Sequence, residues 1–209
     1  MAANDCHSHG GGVSMAAPSQ GRNKPHEGTE MITTGNRVTR FLWGAVWLFL
    51  FRPTPNLLHA WRRFLLRLFG ARIGRGAHPY PGCRVWAPWN LVMGDHSCLA
   101  NGVDCYCVAT VTLGAHATVS QYSYLCSAGH DYSRASMPIV AAPIIIGERA
   151  WIAADVFVGP GVMIGDGAVI LARSSVVSDI PAWTVAAGSP ATPVRERCLV
   201  EEGAAGPEK

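Results

Sequence analysis

Six consecutive six-residue units begin at Ile146: "IGERAW", "IAADVF", "VGPGVM", "IGDGAV", "ILARSS" and "VVSDIP", each opening with Ile or Val. Their fifth positions are Ala, Val, Val, Ala, Ser and Ile, and Gly or Ala fills the second position in four of the six. An upstream series starts at Met93 with "MGDHSC", "LANGVD" and "CYCVAT", slips by two residues, and resumes as "LGAHAT", "VSQYSY" and "LCSAGH". This repeat predicts a parallel β-helix in which short strands lie on flat faces, each unit turns a corner, and three units complete a coil of about eighteen residues. The first and fifth positions then fill the prism. Gly, Asp and Asn gather in "GDH", "GAH" and "GDG", where corners demand backbone angles these residues tolerate.

Composition agrees with a turn-rich, all-β architecture. The chain has 209 residues, is 49% hydrophobic and only 15% charged, and carries 23 Gly and 14 Pro. Glycine and proline at that density interrupt helices, and the length suits one domain with appendages. The net charge of +3 excludes little, and nothing in the sequence points to nucleic acid. Seven cysteines without a C-x-x-C pair argue against a metal or disulfide framework. They are expected as small apolar fillers in a reducing cytoplasm.

Residues 1–38 are rich in Gly, Ser, Pro, Asn and His with no apolar periodicity, and are expected to be disordered. They lack the apolar stretch of a cleavable signal peptide. Residues 39–70 form a hydrophobic and amphipathic helical segment. Within it "FLWGAVWLFLF", Phe41 to Phe51, has eleven uncharged residues, about half of what a bilayer span needs. It is expected to lie on a membrane or to cap the end of the following domain. In "NLLHAWRRFLLRLFG", Leu57, Leu58, Trp61, Leu65, Leu68 and Phe69 share one helical face, Arg62, Arg63 and Arg67 form a basic flank expected to be solvated, and Gly70 stops the helix. The β-helix is expected over residues 71–190, with 191–209 as a C-terminal tail.

Between Asp131 and Pro143 the hexad register vanishes, so "DYSRASMPIVAAP" is expected to leave the coil as an extruded loop. His130 ends the last regular unit before that loop, at the junction of wall and loop where a site is expected. His96 and His116 occupy the fourth position of their hexads and read as corner residues.

The hexads, with "RRFLLRLFGARIGRGAHPYPGCRVWAPWNLVMGD", "SYLCSAGHDY" and "DIPAWTVAAGSPATPVRER", resemble the hexapeptide-repeat acyltransferases. The nearest likeness is to acetyltransferases assigned to colanic acid biosynthesis, relatives of the galactoside and maltose acetyltransferases. The resemblance implies a left-handed parallel β-helix, acetyl-CoA as co-substrate, no metal, and an O-acetyltransferase acting on a sugar or glycolipid acceptor of surface polysaccharide. It further implies a homotrimer with active sites between subunits; the apolar segment adds the expectation of a cytoplasmic protein in peripheral contact with the inner face of the membrane through Phe41–Phe69.

By the same resemblance His130 is the general base, a task suited to an imidazole with an ordinary pKa near ~6.5. Asn101 matches the residue that stabilises the oxyanion, with a plain corner asparagine as the competing reading and Asp104 as a competitor for the role. Asp104 and Asp131 are candidate substrate contacts. Donor binding maps to Trp151, which either packs on the coenzyme or braces the loop, to the small residues Ala154 and Ala172, to Val177 and Ser178, and to Arg195 near the phosphates. Thr192 departs from the family pattern, where Arg is common. Two alternatives share the coil: a zinc-dependent hydratase of the γ-carbonic-anhydrase type, which needs three converging histidines, and a non-catalytic scaffold.

Overall fold

The computed structural model of the chain describes residues 26–27 and 34–199. The disorder expected for 1–38 therefore lies outside the described residues over 1–25 and 28–33. Where the chain is described, it is ordered: strand β1 (His26–Glu27) pairs with the extruded loop, and helix α1 (Thr34–Val46) starts inside the stretch read as tail.

The repeat builds a parallel β-helix of about six turns. Strands β2 (Arg72–Ile73), β3 (His78–Pro79) and β4 (Arg84–Val85) make the first coil, and β5 (Leu91–Met93), β6 (Cys98–Leu99) and β7 (Asp104–Tyr106) the second. The third comprises β8 (Val111–Leu113), β9 (Thr118–Val119) and β10 (Tyr124–Cys126). An antiparallel hairpin of β11 (Ala128–His130) and β12 (Ile139–Ala141) then leaves the wall. The coil resumes with β13 (Ile144–Ile146), β14 (Trp151–Ile152) and β15 (Phe157–Val158), then β16 (Met163–Ile164), β17 (Val169–Ile170) and β18 (Ser175–Val176). Strand β19 (Thr184–Gly188) begins the last turn, and β20 (Ala191–Glu196) folds back antiparallel on it, so the expected tail is ordered through Glu196.

Every coil strand stacks in register on its equivalent one coil away, as Ile145 on Met163 and Trp151 on Val169. The openings of the downstream hexads, Ile146, Ile152, Val158, Ile164, Ile170 and Val176, are all buried in one continuous core. So are Met93, Leu99, Cys105, Leu113, Val119 and Leu125 upstream. Cys105 and Cys107, two residues apart on one strand face, both point inward. The repeat also reaches back one coil further than the hexads beginning at Met93, to Ile73.

A β-helix that simply stopped at its first coil would expose a row of unpaired carbonyls, the liability of any sheet edge. Here side chains of the N-terminal segment cover it. Trp43 and Trp47 donate their indole N–H groups to the carbonyls of Val85 (2.7 Å) and Cys83 (2.9 Å). From helix α2 (His59–Leu68), Arg62, Arg63 and Arg67 donate to the carbonyls of Pro79 (2.7 Å), Ala77 (2.9 Å) and Ile73 (2.6 Å). Arg62 is wholly buried and also donates to the Pro55 and Asn56 carbonyls and the Thr54 hydroxyl.

This overturns the expected solvated basic flank. The arginines face the coil because its end offers acceptors, and most of the apolar stripe, Leu57, Leu58, Trp61 and Leu68, faces outward; only Leu65 of that stripe is buried, with Leu66 beside it. The residues Trp47–Phe51 continue α1 as a π-helical turn that buries Phe51.

Candidate active site

His130 lies on the hairpin, not on the wall. Strand β10 pairs with β7, whereas β11 pairs only with β12, so the chain departs at Ala128, before the expected Asp131. At the hairpin's foot Val108, Ala109, Ala128 and Ala141 pack beneath Trp86, Tyr106 and Ile139. The Ser127 hydroxyl ties this foot down, donating to the Tyr106 carbonyl (2.9 Å) and accepting from the Ala109 amide (3.0 Å).

Opposite Ile139, the exposed His130 ring turns Nδ1 to within 2.7 Å of the Met137 carbonyl oxygen. A carbonyl only accepts, so Nδ1 carries a proton, and in the neutral ring the lone pair is on Nε2. The neighbouring Asp131 does not reach outward. Its carboxylate accepts from the Ser133 hydroxyl and amide and faces Arg134 at 3.2 Å, while its own amide donates to Pro138. The Ser133 hydrogen bonds, assisted by Arg134, hold the Asp131 carboxyl below its ordinary pKa. Asp131, expected as a substrate contact, shapes the loop that presents His130.

Asn101 sits at a corner, where its Oδ1 accepts the Gly82 amide at 2.9 Å. Asp95, Asp166 and Asp179 do the same for Arg75, Glu148 and Met163. Gly102 follows with φ +76°, and a Cβ there would meet the Tyr122 ring at 2.6 Å. Asp104 points outward from β7 between Arg84 and Tyr124, where burial raises its pKa against the opposing pull of Arg84. Neither Asn101 nor Asp104 is hydrogen-bonded to His130 within the chain.

Three features of this side of the coil escaped sequence reasoning. Trp86, Tyr106, Tyr124 and Phe157 form an aromatic ladder with ring centroids 5.3, 6.4 and 5.9 Å apart. A cavity of about 590 Å³ beside it is lined by Arg37, Arg40, Arg84, Trp43, Trp47 and Trp86. Arg40 lies over the Trp86 ring at 4.3 Å, linking α1 to the ladder. The visible signal was the return of outward residues at equal places in successive coils, Arg84, Asp104 and Tyr124.

The donor candidates do not gather in one groove. Ala154 and Ala172 come together in a groove of about 320 Å³ with Gln121, Tyr122 and the Asp155–Arg173 ion pair (3.5 Å). The short side chains leave room for an extended chain along the wall. Trp151 lines a different groove, of about 440 Å³, and donates its indole N–H to the Ser120 hydroxyl (2.9 Å), a contact that braces the wall. Val177 and Ser178 are exposed just beyond β18, and Arg195 is exposed on β20 opposite Val185. Arg197 is held by the Arg149 and Gly167 carbonyls. His130 lines neither groove. His96 and His116 occupy corners with φ of 56° and 58° and stack on each other. Among the described residues no three His, Cys, Asp or Glu side chains converge as metal ligands.

Known proteins share this architecture and sequence. WcaF of Escherichia coli (strain K12), named as a colanic acid biosynthesis acetyltransferase, is 46% identical over 167 residues, which cover 80% of this chain and 92% of the relative. This chain is a hexapeptide-repeat acetyltransferase.

The acetyltransferase also superposes on the hexapeptide-repeat acetyltransferase VCA0836 of Vibrio cholerae O1 biovar eltor, solved with acetyl coenzyme A. The TM-score is 0.72 and the identity 25%, covering 80% of this chain and 91% of that one. A galactoside acetyltransferase solved with coenzyme A matches with a TM-score of 0.70 and 27% identity, covering 79% and 84%. No protein-family profile matches the chain. The left-handed parallel β-helix implied by the resemblance is the family's fold.

Proposed function

We propose that this acetyltransferase moves an acetyl group from acetyl-CoA to a hydroxyl of a sugar in surface polysaccharide assembly, with His130 as the general base. The observation that carries this reading is the Nδ1 contact with Met137, which in the neutral ring leaves Nε2 as the nitrogen able to accept a proton. Nε2 takes the acceptor's hydroxyl proton as its oxygen attacks the thioester carbon. The new C–O bond replaces the C–S bond, and the departing sulfur takes the proton His130 accepted. The corner bond of Asn101 uses only Oδ1, so its Nδ2 is the donor proposed for the oxyanion.

Support for the donor comes from the relatives solved with acetyl coenzyme A and coenzyme A, and for the acceptor class from the name of WcaF. The groove holding Ala154 and Ala172 is the proposed path of the donor's arm, with Val177, Ser178 and Arg195 beyond it. Because His130 lines neither groove of its own chain, the proposed site is completed by a neighbouring subunit of a homotrimer in the cytoplasm. Among the described residues no helix is long and apolar enough to cross a membrane.

The test is coenzyme A release from acetyl-CoA with a panel of nucleotide sugars, lipid-linked oligosaccharides and amines. The expected result is release with a sugar acceptor and an O-acetyl ester in the product. Release with amines alone would contradict the reading.

A further inference from the structure

The N-terminal layer is amphipathic with its polarity reversed. Helix α2 spends its arginines on the coil's carbonyls and, with the turn before it, turns Leu57, Phe64 and Leu68 outward, with Leu57 92% exposed. Helix α1 and its π-helical extension bury Trp43 and Phe51 but expose Phe41 (77%) and Phe49 (70%). The Trp61 indole donates to the Leu50 carbonyl (2.9 Å) and stacks on Phe64, so the two segments form one surface. Apolar side chains massed in this way on a water-soluble fold mark a docking face.

Charge identifies the occupant. Residues 31–94 contain nine arginines and no lysine, aspartate or glutamate, while the rest of the chain holds eight basic and all 14 acidic residues. The net charge of +3 thus divides into +9 on this layer and its first coil and −6 elsewhere. Arg37 within α1, Arg52 just after the π-helical turn and Arg72 on β2 stand exposed. Two copies of such a layer repel face to face, whereas an anionic lipid surface supplies both the opposite charge and an apolar interior.

We propose that this face docks the enzyme on an anionic lipid bilayer, with Phe41, Phe49 and Leu57 entering the interfacial region and the coil axis rising from the membrane. The proposal is independent of the acceptor's identity. Arg40, packed on Trp86 above the hairpin's foot, connects the docked layer to the element that carries His130.

Sedimentation of the full-length protein with phosphatidylglycerol and with phosphatidylcholine vesicles tests it. The expected result is at least tenfold tighter binding to phosphatidylglycerol, weakening as salt rises. A Phe49→Ser/Leu57→Ser double variant should lose at least tenfold in that binding while its melting temperature holds, since both side chains are exposed. Failure to bind phosphatidylglycerol vesicles, or equal binding by the double variant, overturns the proposal. So does binding that appears only after residues 1–25 are removed, which would assign the face to that segment, or concentration-dependent self-association abolished by the double variant, which would assign it to a second copy.

Discussion

Arg62 shows where a residue's surroundings outweigh its type. Helical spacing established that Arg62, Arg63 and Arg67 lie apart from the leucine stripe, but periodicity only says which residues share a face, never which face turns inward. Apolar-side-in is the usual outcome; the open carbonyls of the first coil reverse it, because an unsatisfied buried acceptor costs about 1–3 kcal/mol. The guanidinium remains cationic although burial lowers its pKa. Arg62→Met leaves the carbonyls of Pro79, Pro55 and Asn56 without this donor. Urea unfolding should therefore show a loss of about 3 kcal/mol or more, against the ~0.5 kcal/mol expected of a solvated surface arginine. The position of His130 at the edge of the coil was legible from its place at the end of the hexads. Its tautomer was not, since that depends on Met137 returning across the hairpin.

Among the elements, the β11–β12 hairpin is the one whose existence the broken register announced and whose geometry it left open. The tip depends on Asp131. Its depressed pKa means the ionised form is favoured by folding, so its contribution is present above the ordinary carboxylate pKa of 3.8 and is lost as pH falls through the lower folded value. In nuclear magnetic resonance titrations the Ser133 amide should shift with a midpoint below 3.8. Asp131→Ala should speed tryptic cleavage after Arg134 and lower turnover by misplacing His130, with acetyl-CoA affinity unchanged; an unaltered turnover would show the tip to be incidental. The first coil falls inside the expected 71–190, but its hexads were harder to read, for a different reason. Its units open with Ile73, Pro79 and Val85, and the third is two residues too long, so a strict period of six fails there even though Ile73, Ala77, Cys83 and Val85 are buried.

For the molecule as a whole, one rigid prism separates three tasks. The N-terminal layer closes the sheet edge and gathers the positive charge, the hairpin carries the proposed base, and the corner groove at Ala154 and Ala172 lies further along the coil. The prism itself was readable because stacking rewards the same residue at the same place in every coil. The geometry of the layer and of the hairpin was not, because each occurs once and is shaped by long-range contacts. Separation of base from donor groove has a direct consequence for His130→Ala. Turnover with an active sugar acceptor should fall by roughly a hundredfold to ten-thousandfold, the usual contribution of a general base. The dissociation constant for acetyl-CoA, measured on the same preparation, should stay within about threefold of wild type, a change of less than about 0.7 kcal/mol. A variant that keeps more than about a third of wild-type turnover, far above the loss general-base removal produces, would contradict the assignment of His130 as the base.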